Sequence, residues 1–71
     1  MDNYIELNAF VKLKGLATTG GRAKLLIRSG AVMVNDVSET RNRRKLIAGD
    51  RVSFERKEFV VEEKLCAKVK G

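Results

Sequence analysis

The sequence predicts an α+β fold, with two short N-terminal helices packed on a small, mainly antiparallel sheet of three to five strands. Two patterns carry that expectation. Up to Ser29 the apolar residues recur at helical spacing, whereas beyond Gly30 they alternate with period two between turn-forming residues. Size adds a third constraint. A chain of 71 residues makes one domain, able to bury only about 60 % of the surface its unfolded form exposes. Its composition, 44 % hydrophobic and 34 % charged, is that of a globular protein.

The first helix is expected over about residues 7 to 14. Leu7, Phe10 and Leu13 fall at helical spacing with Lys12 turned away, and Gly15 suits the left-handed residue that ends a helix. The second is expected from about Gly20 to Ser29, because Ala23, Leu26, Ile27 and Gly30 fall within an arc of roughly 100°. Thr18 or Thr19 can cap its start, and Gly30 can turn the chain into a strand.

"AVMVNDVSE" places Val32, Met33 and Val34 before Asn35 and Asp36, two residues that tolerate the positive φ of a tight hairpin. "TRNRRKL" has no period-two pattern and reads as a connecting loop. "AGD" at 48–50 is a turn into "RVSFER", with Val52 and Phe54 on one face. "FVVEE" should return antiparallel with Phe59 and Val61 inward, although Lys57 and Glu58 are poor turn formers. The single domain, 1–71, thus has its core over about 5–61, and the weakly patterned, basic residues 64–71 are expected to fray.

Several functional classes are excluded by the residue inventory. One cysteine, Cys66, and no histidine rule out an internal disulfide framework and the usual zinc ligand sets, and fit a reducing cytoplasm without metal or cofactor. "MDNYIELN" has neither a basic n-region nor an apolar run, and the chain nowhere strings 18 apolar residues together, so neither a signal peptide nor a membrane span is expected. No nucleophile–base arrangement is evident. Asp50 is accounted for by its turn, and Cys66 reads as inert or tail-exposed; an enzyme is not expected.

Charge points instead to a polyanionic partner. Fifteen Lys and Arg against nine Asp and Glu give a net +6 and a pI near 9.9. The excess is gathered in residues 12–45, which hold nine basic groups and two acidic ones, Asp36 and Glu39. Within it, "TTGGRAKLLIRSG" (18–30) sets Arg22 and Lys24 at a helix start, where the dipole already disfavours cations by about 0.3–1 kcal/mol each. An anion docked on that end would reverse the penalty, and Gly20 and Gly21 would let a phosphate backbone approach the main chain. The same glycines would equally serve a close approach of the two helices. The stretch lacks the spacing of a Walker loop.

Lys24 and Arg28, one turn apart, point together away from the packed face. Four cations in five positions, Arg41, Arg43, Arg44 and Lys45, form the densest basic run, on a loop suited to phosphate contact. Phe10, Phe54 and Phe59 have core-like spacing and only Tyr4 is free to be exposed. Recognition of structured RNA by shape and backbone is therefore favoured over stacking on single strands. The alternative is a basic protein-interaction module that binds an acidic protein, with RNA incidental. DNA binding ranks third, for want of a recognition-helix pattern.

Taken together, "TGGRAK" (19–24), "SGAVMVND" (29–36), "ETRNRRKL" (39–46) and "AGDRVSF" (48–54) resemble the RNA-binding domain first described in the small-subunit ribosomal protein S-four. The resemblance spans about residues 5–61 and is strongest to the small, free-standing bacterial branch of the YaaA and YbcJ type. It implies two helices on a small strand layer, with RNA, most plausibly ribosomal and otherwise transfer RNA, held at the start of the second helix and beside the first hairpin. The implied contacts are Thr19, Gly20, Gly21, Lys24 and Arg28, with Arg41, Arg43, Arg44 and Lys45. Arg22, a candidate by its position at the helix start, stands where relatives often carry Glu or Gln. A cytoplasmic, ribosome-associated monomer is the expectation.

Overall fold

The computed structural model describes residues 3–68. A short strand, β1 (Asn3–Glu6), leads directly into α1 (Leu7–Leu13). After it come α2 (Gly20–Arg28), β2 (Val32–Val34), β3 (Val37–Ser38), β4 (Lys45–Leu46), β5 (Arg51–Phe54), β6 (Lys57–Val60), a 3-10 turn at Glu63–Leu65, and β7 (Ala67–Lys68). The α+β class and the two helices stand as the sequence predicts, while the strands divide between two small antiparallel sheets. One is ordered β4-β1-β7 and the other β3-β2-β5-β6.

Both helices end where the glycines indicate. Gly15 and Gly30 have φ of 75° and 84°, each just beyond its helix. At Gly30 a side chain would also meet Ser38 Oγ, which donates a 2.8 Å hydrogen bond to the Gly30 carbonyl. Thr19, rather than Thr18, caps α2, its Oγ1 accepting from the Arg22 amide at 3.1 Å.

The inward face of α1 departs from expectation. Leu7, Phe10 and Val11 are buried, whereas Leu13 is 55 % exposed. At 100° per residue, Val11 lies about 40° around the helix from Leu7 and Leu13 about 120°, so spacing i, i+3, i+4 prevails over the looser reading. Ala23 and Ile27 of α2 complete this layer, with Leu26 half-buried.

On the second sheet Val32, Val34 and Val52 are buried, and Phe54 and Phe59 lean on the same core. Phe59 meets the Phe10 ring edge-on at 6.4 Å. The first hairpin turns at Asn35 and Asp36, both at positive φ, as their side chains allow. Asp50 is held by its own turn, accepting from the Ile47 amide at 2.9 Å and from Asn35 Nδ2 at 3.2 Å. The last hairpin turns at Glu55 and Arg56, not at Lys57 and Glu58. The register Phe54↔Lys57 puts Lys57 and Glu58 inside β6, which relieves them of turn duty.

Pairing across the chain supplies what the sequence reading left out or misplaced. The N-terminal residues form β1, the centre of the first sheet. "TRNRRKL" is not loop throughout, because Lys45 and Leu46 pair with Glu6 and Ile5, and Leu46 is fully buried. At the other end of the chain, a 3-10 turn at Glu63–Leu65 leads into β7. Leu65 packs on the core, Cys66 is buried with its Sγ 4.0 Å from the Leu46 carbonyl, and β7 closes the free edge of β1. Cys66 is therefore not tail-exposed, and residues 69–71 lie outside the described part of the chain.

The inward face can be tested by truncation. Phe10→Ala should cost about 3–5 kcal/mol in urea unfolding, and Leu13→Ala should stay within about 0.5 kcal/mol of wild type.

Candidate nucleic-acid interface

The 41–45 run sits at the start of α1, a helix with no side-chain cap of its own. Its first amides are satisfied by carbonyls of the loop instead. Leu7 N–H donates to the Arg44 carbonyl at 2.8 Å and Asn8 N–H to that of Asn42 at 3.1 Å. Beside them the Asn42 Oδ1 is buried, with no partner among the described residues.

The side chains of the loop are held from below by Glu39, a buried carboxylate that sequence reasoning counted only as a negative charge. Its Oε2 accepts from the Arg41 amide at 2.9 Å and from Arg41 Nε at 3.0 Å. Its Oε1 accepts from Arg44 Nη1 at 2.8 Å and from Arg41 Nη2 at 3.3 Å. The Arg41 hydrogen bond, seconded by Arg44 and opposed by burial, holds the Glu39 carboxyl at about 2 instead of 4.5. Of its partners, the Arg41 side chain is 74 % exposed and that of Arg44 30 %.

Arg43 turns to Glu6 instead, its Nε 3.3 Å from both carboxylate oxygens, and that pairing raises the Arg43 pKa. Lys45 lays its Nζ 5.0 Å over the Tyr4 ring, so the one aromatic expected to be free is covered by a cation. Arg41, Arg43, Arg44 and Lys45 together line an open groove of about 560 Å³.

The start of α2 is the second basic element. Gly20 and Gly21 keep negative φ, and a Cβ on Gly21 would meet nothing within 4 Å. On Gly20 it would meet only the Lys12 Nζ, at 4.0 Å. The two glycines are thus not required by helix packing, which removes the purely structural reason for them. Lys24 and Arg28 are exposed on one side of α2, and among the described residues neither has an acidic partner within 4.0 Å.

Arg22 does not join them. It lies about 160° around the helix from Lys24 and lines a separate groove with Thr18, Leu25 and Ser29. Lys12, by contrast, is a candidate that sequence reasoning missed. It stands one turn beyond Asn8 on α1 with its ammonium over Gly20, so α1 carries the loop at one end and this cation at the other, about 6 Å further along the axis. The signal available was its position off the apolar stripe of α1. Among the described residues no three His, Cys, Asp or Glu side chains cluster as metal ligands, and no helix is long and apolar enough to cross a membrane.

The family model described as the S4 domain matches residues 1–62. YbcJ of Escherichia coli, whose name proposes RNA binding, is 43 % identical over 51 residues, 72 % of this chain and 73 % of its own. RlbA of Bacillus subtilis, whose name proposes a role in ribosome maturation, is 41 % identical over 51 residues, 72 % of both chains. The solution structure of Escherichia coli YbcJ, described as having an ALFAL motif involved in RNA-binding, is similar with a TM-score of 0.63 and 39 % identity, over 83 % of this chain and 75 % of that one.

The Glu39 carboxyl has a pH signature. Because its pKa is lower in the folded chain than in the unfolded one, its contribution is fully present above about 4.5 and is lost as the pH falls toward about 2. Wild type should exceed Glu39→Gln in unfolding free energy at neutral pH, and the gap between them, followed by urea titration, should close across that window.

Proposed function

Because the chain belongs to the S4 domain family, we propose that it is a non-catalytic binder of structured RNA, ribosomal RNA above all, which it grips by the phosphate backbone. The observation that carries this reading is the open surface over Gly20 and Gly21, flanked by the ammonium of Lys12 and followed along α2 by Lys24 and Arg28. Nothing within the fold requires glycine there. A phosphate would meet bare amides, the positive end of the α2 dipole and cations with no acidic partner among the described residues.

The contacts assigned on α2 are Thr19, Gly20, Gly21, Lys24 and Arg28, joined by Lys12 on α1 and by Arg41, Arg43, Arg44 and Lys45 on the loop. Arg22 is left at the margin by its separate groove. Recognition by shape and backbone suits the aromatic inventory, since Phe10 is buried, Phe54 and Phe59 support the core and Tyr4 lies under Lys45. The names carried by YbcJ and RlbA support RNA as the partner and the ribosome as the setting. In this reading residues 1–71 act as one domain, a monomer in the cytoplasm, without a cofactor.

Equilibrium binding to purified ribosomal RNA tests the proposal. With about five phosphates engaged, affinity should fall roughly 10²-fold between 50 and 200 mM salt. Lys24→Glu combined with Arg28→Glu should weaken binding and reduce the salt slope by about two. A flat salt response, or a double variant that binds as wild type does, sinks the assignment.

A further inference from the structure

We propose that Glu39 is a positioning residue of the RNA face, a buried carboxylate that orients the guanidiniums of Arg41 and Arg44 as a preset fork for phosphate. The inference rests on the RNA reading above and adds to it a residue of the opposite charge.

A carboxylate within a surface meant for a polyanion is at odds with simple charge counting, because each local negative charge opposes the phosphates. The geometry offers a reason for its presence. Four donors saturate both oxygens of Glu39: the Arg41 amide, Nε and Nη2, and the Arg44 Nη1. A guanidinium has five N–H groups. Arg41 commits the bonds of Nε and Nη2 to Glu39, and Arg44 that of Nη1, which leaves the remaining N–H groups for a ligand. With 74 % of the Arg41 side chain exposed, the paired edge is fixed while much of the side chain remains open to solvent. The groove shared with Arg43 and Lys45 is where such a fork would act.

Preorganisation is worth affinity here. An unpaired arginine is free to sample many rotamers, and immobilising one such side chain on binding weakens affinity by about two- to tenfold. Glu39 bears that ordering in the folded protein, before RNA arrives. The other acidic partners on the chain differ in their exposure. Glu6 is 28 % exposed beside Arg43, and Asp36 and Glu58, which flank Arg51, are 70 % and 50 % exposed.

Charge counting and positioning predict opposite signs. Glu39→Gln raises the net charge by one and should tighten binding if charge alone matters; if Glu39 positions the fork, it should weaken binding. The experiment measures affinity of the full chain for purified ribosomal RNA across a salt series, for wild type, Glu39→Gln and Glu39→Asp, with each variant's fold checked by circular dichroism. The expected result is binding about tenfold weaker in Glu39→Gln, with a salt slope lower by about one. The Arg41 Nε–H resonance should also move to the position of a free arginine. Glu39→Asp keeps the charge on a shorter arm and should bind more weakly than wild type as well. In an Arg41→Ala, Arg44→Ala background, Glu39→Gln should bring no further loss.

Glu39→Gln binding as tightly as wild type, or more tightly, overturns the inference. So does a loss that persists undiminished in the double-alanine background, since that marks a purely structural role. Should Glu39→Gln fail to fold, a folded Glu39→Asp with wild-type affinity overturns it equally. Wild type that does not bind the RNA removes the functional reading and this inference together, whereas wild type that binds beside an equally tight Glu39→Gln removes the positioning role alone.

Discussion

The arrangement of the basic face depends on one buried carboxylate. Glu39 stands just beyond β3, where its amide still reaches the Val32 carbonyl at 2.9 Å and extends the second sheet by one bond. Its side chain then gathers Arg41 and Arg44. A run of four cations in five residues would repel itself and spread in solvent. Here the charges are instead distributed over fixed partners, Arg41 and Arg44 on Glu39, Arg43 on Glu6 and Lys45 on the Tyr4 ring. Because Glu39 is sheltered while most of these cations reach solvent, the pairings order the loop without hiding it.

The same loop completes α1. That helix has only seven residues, no acidic residue in its first turn and no side-chain cap, so by itself it would be a poor helix. The carbonyls of Asn42 and Arg44 supply what its first amides lack, and Leu7, Phe10 and Val11 anchor its inward side. Loop and helix are thus interdependent. Through the far end of α1 the arrangement continues to Lys12 and the bare surface of Gly20. In the proposed function these features make one RNA-facing surface out of two basic segments that are some twenty residues apart in sequence.

Much of this was legible in the sequence wherever the governing physics is local. Both helix ends followed from Gly15 and Gly30, the cap from a threonine ahead of two glycines, and the first hairpin from Asn35 and Asp36, because φ preference and cap chemistry involve only near neighbours. The outward placement of Lys24 and Arg28 followed from helical period alone. Charge clustering likewise marked the two basic segments, and their motifs together indicated the family.

What the sequence did not disclose depends on partners distant along the chain. β4 and β7, of two residues each, are too short to show a period, β1 is half-buried throughout with no alternation, and each exists because another supplies its hydrogen bonds. Leu46 and Cys66 became core residues for the same reason. In composition Glu39 was one of two acids in a basic stretch. Only the folded chain places it beneath Arg41 and Arg44 and shelters it from water, and only there does its negative charge order the positive ones. Local sequence determined the helix ends, the hairpin and the sign of the surface charge; tertiary pairing decided how those charges are held, because burial and long-range hydrogen bonds arise only when the chain closes on itself.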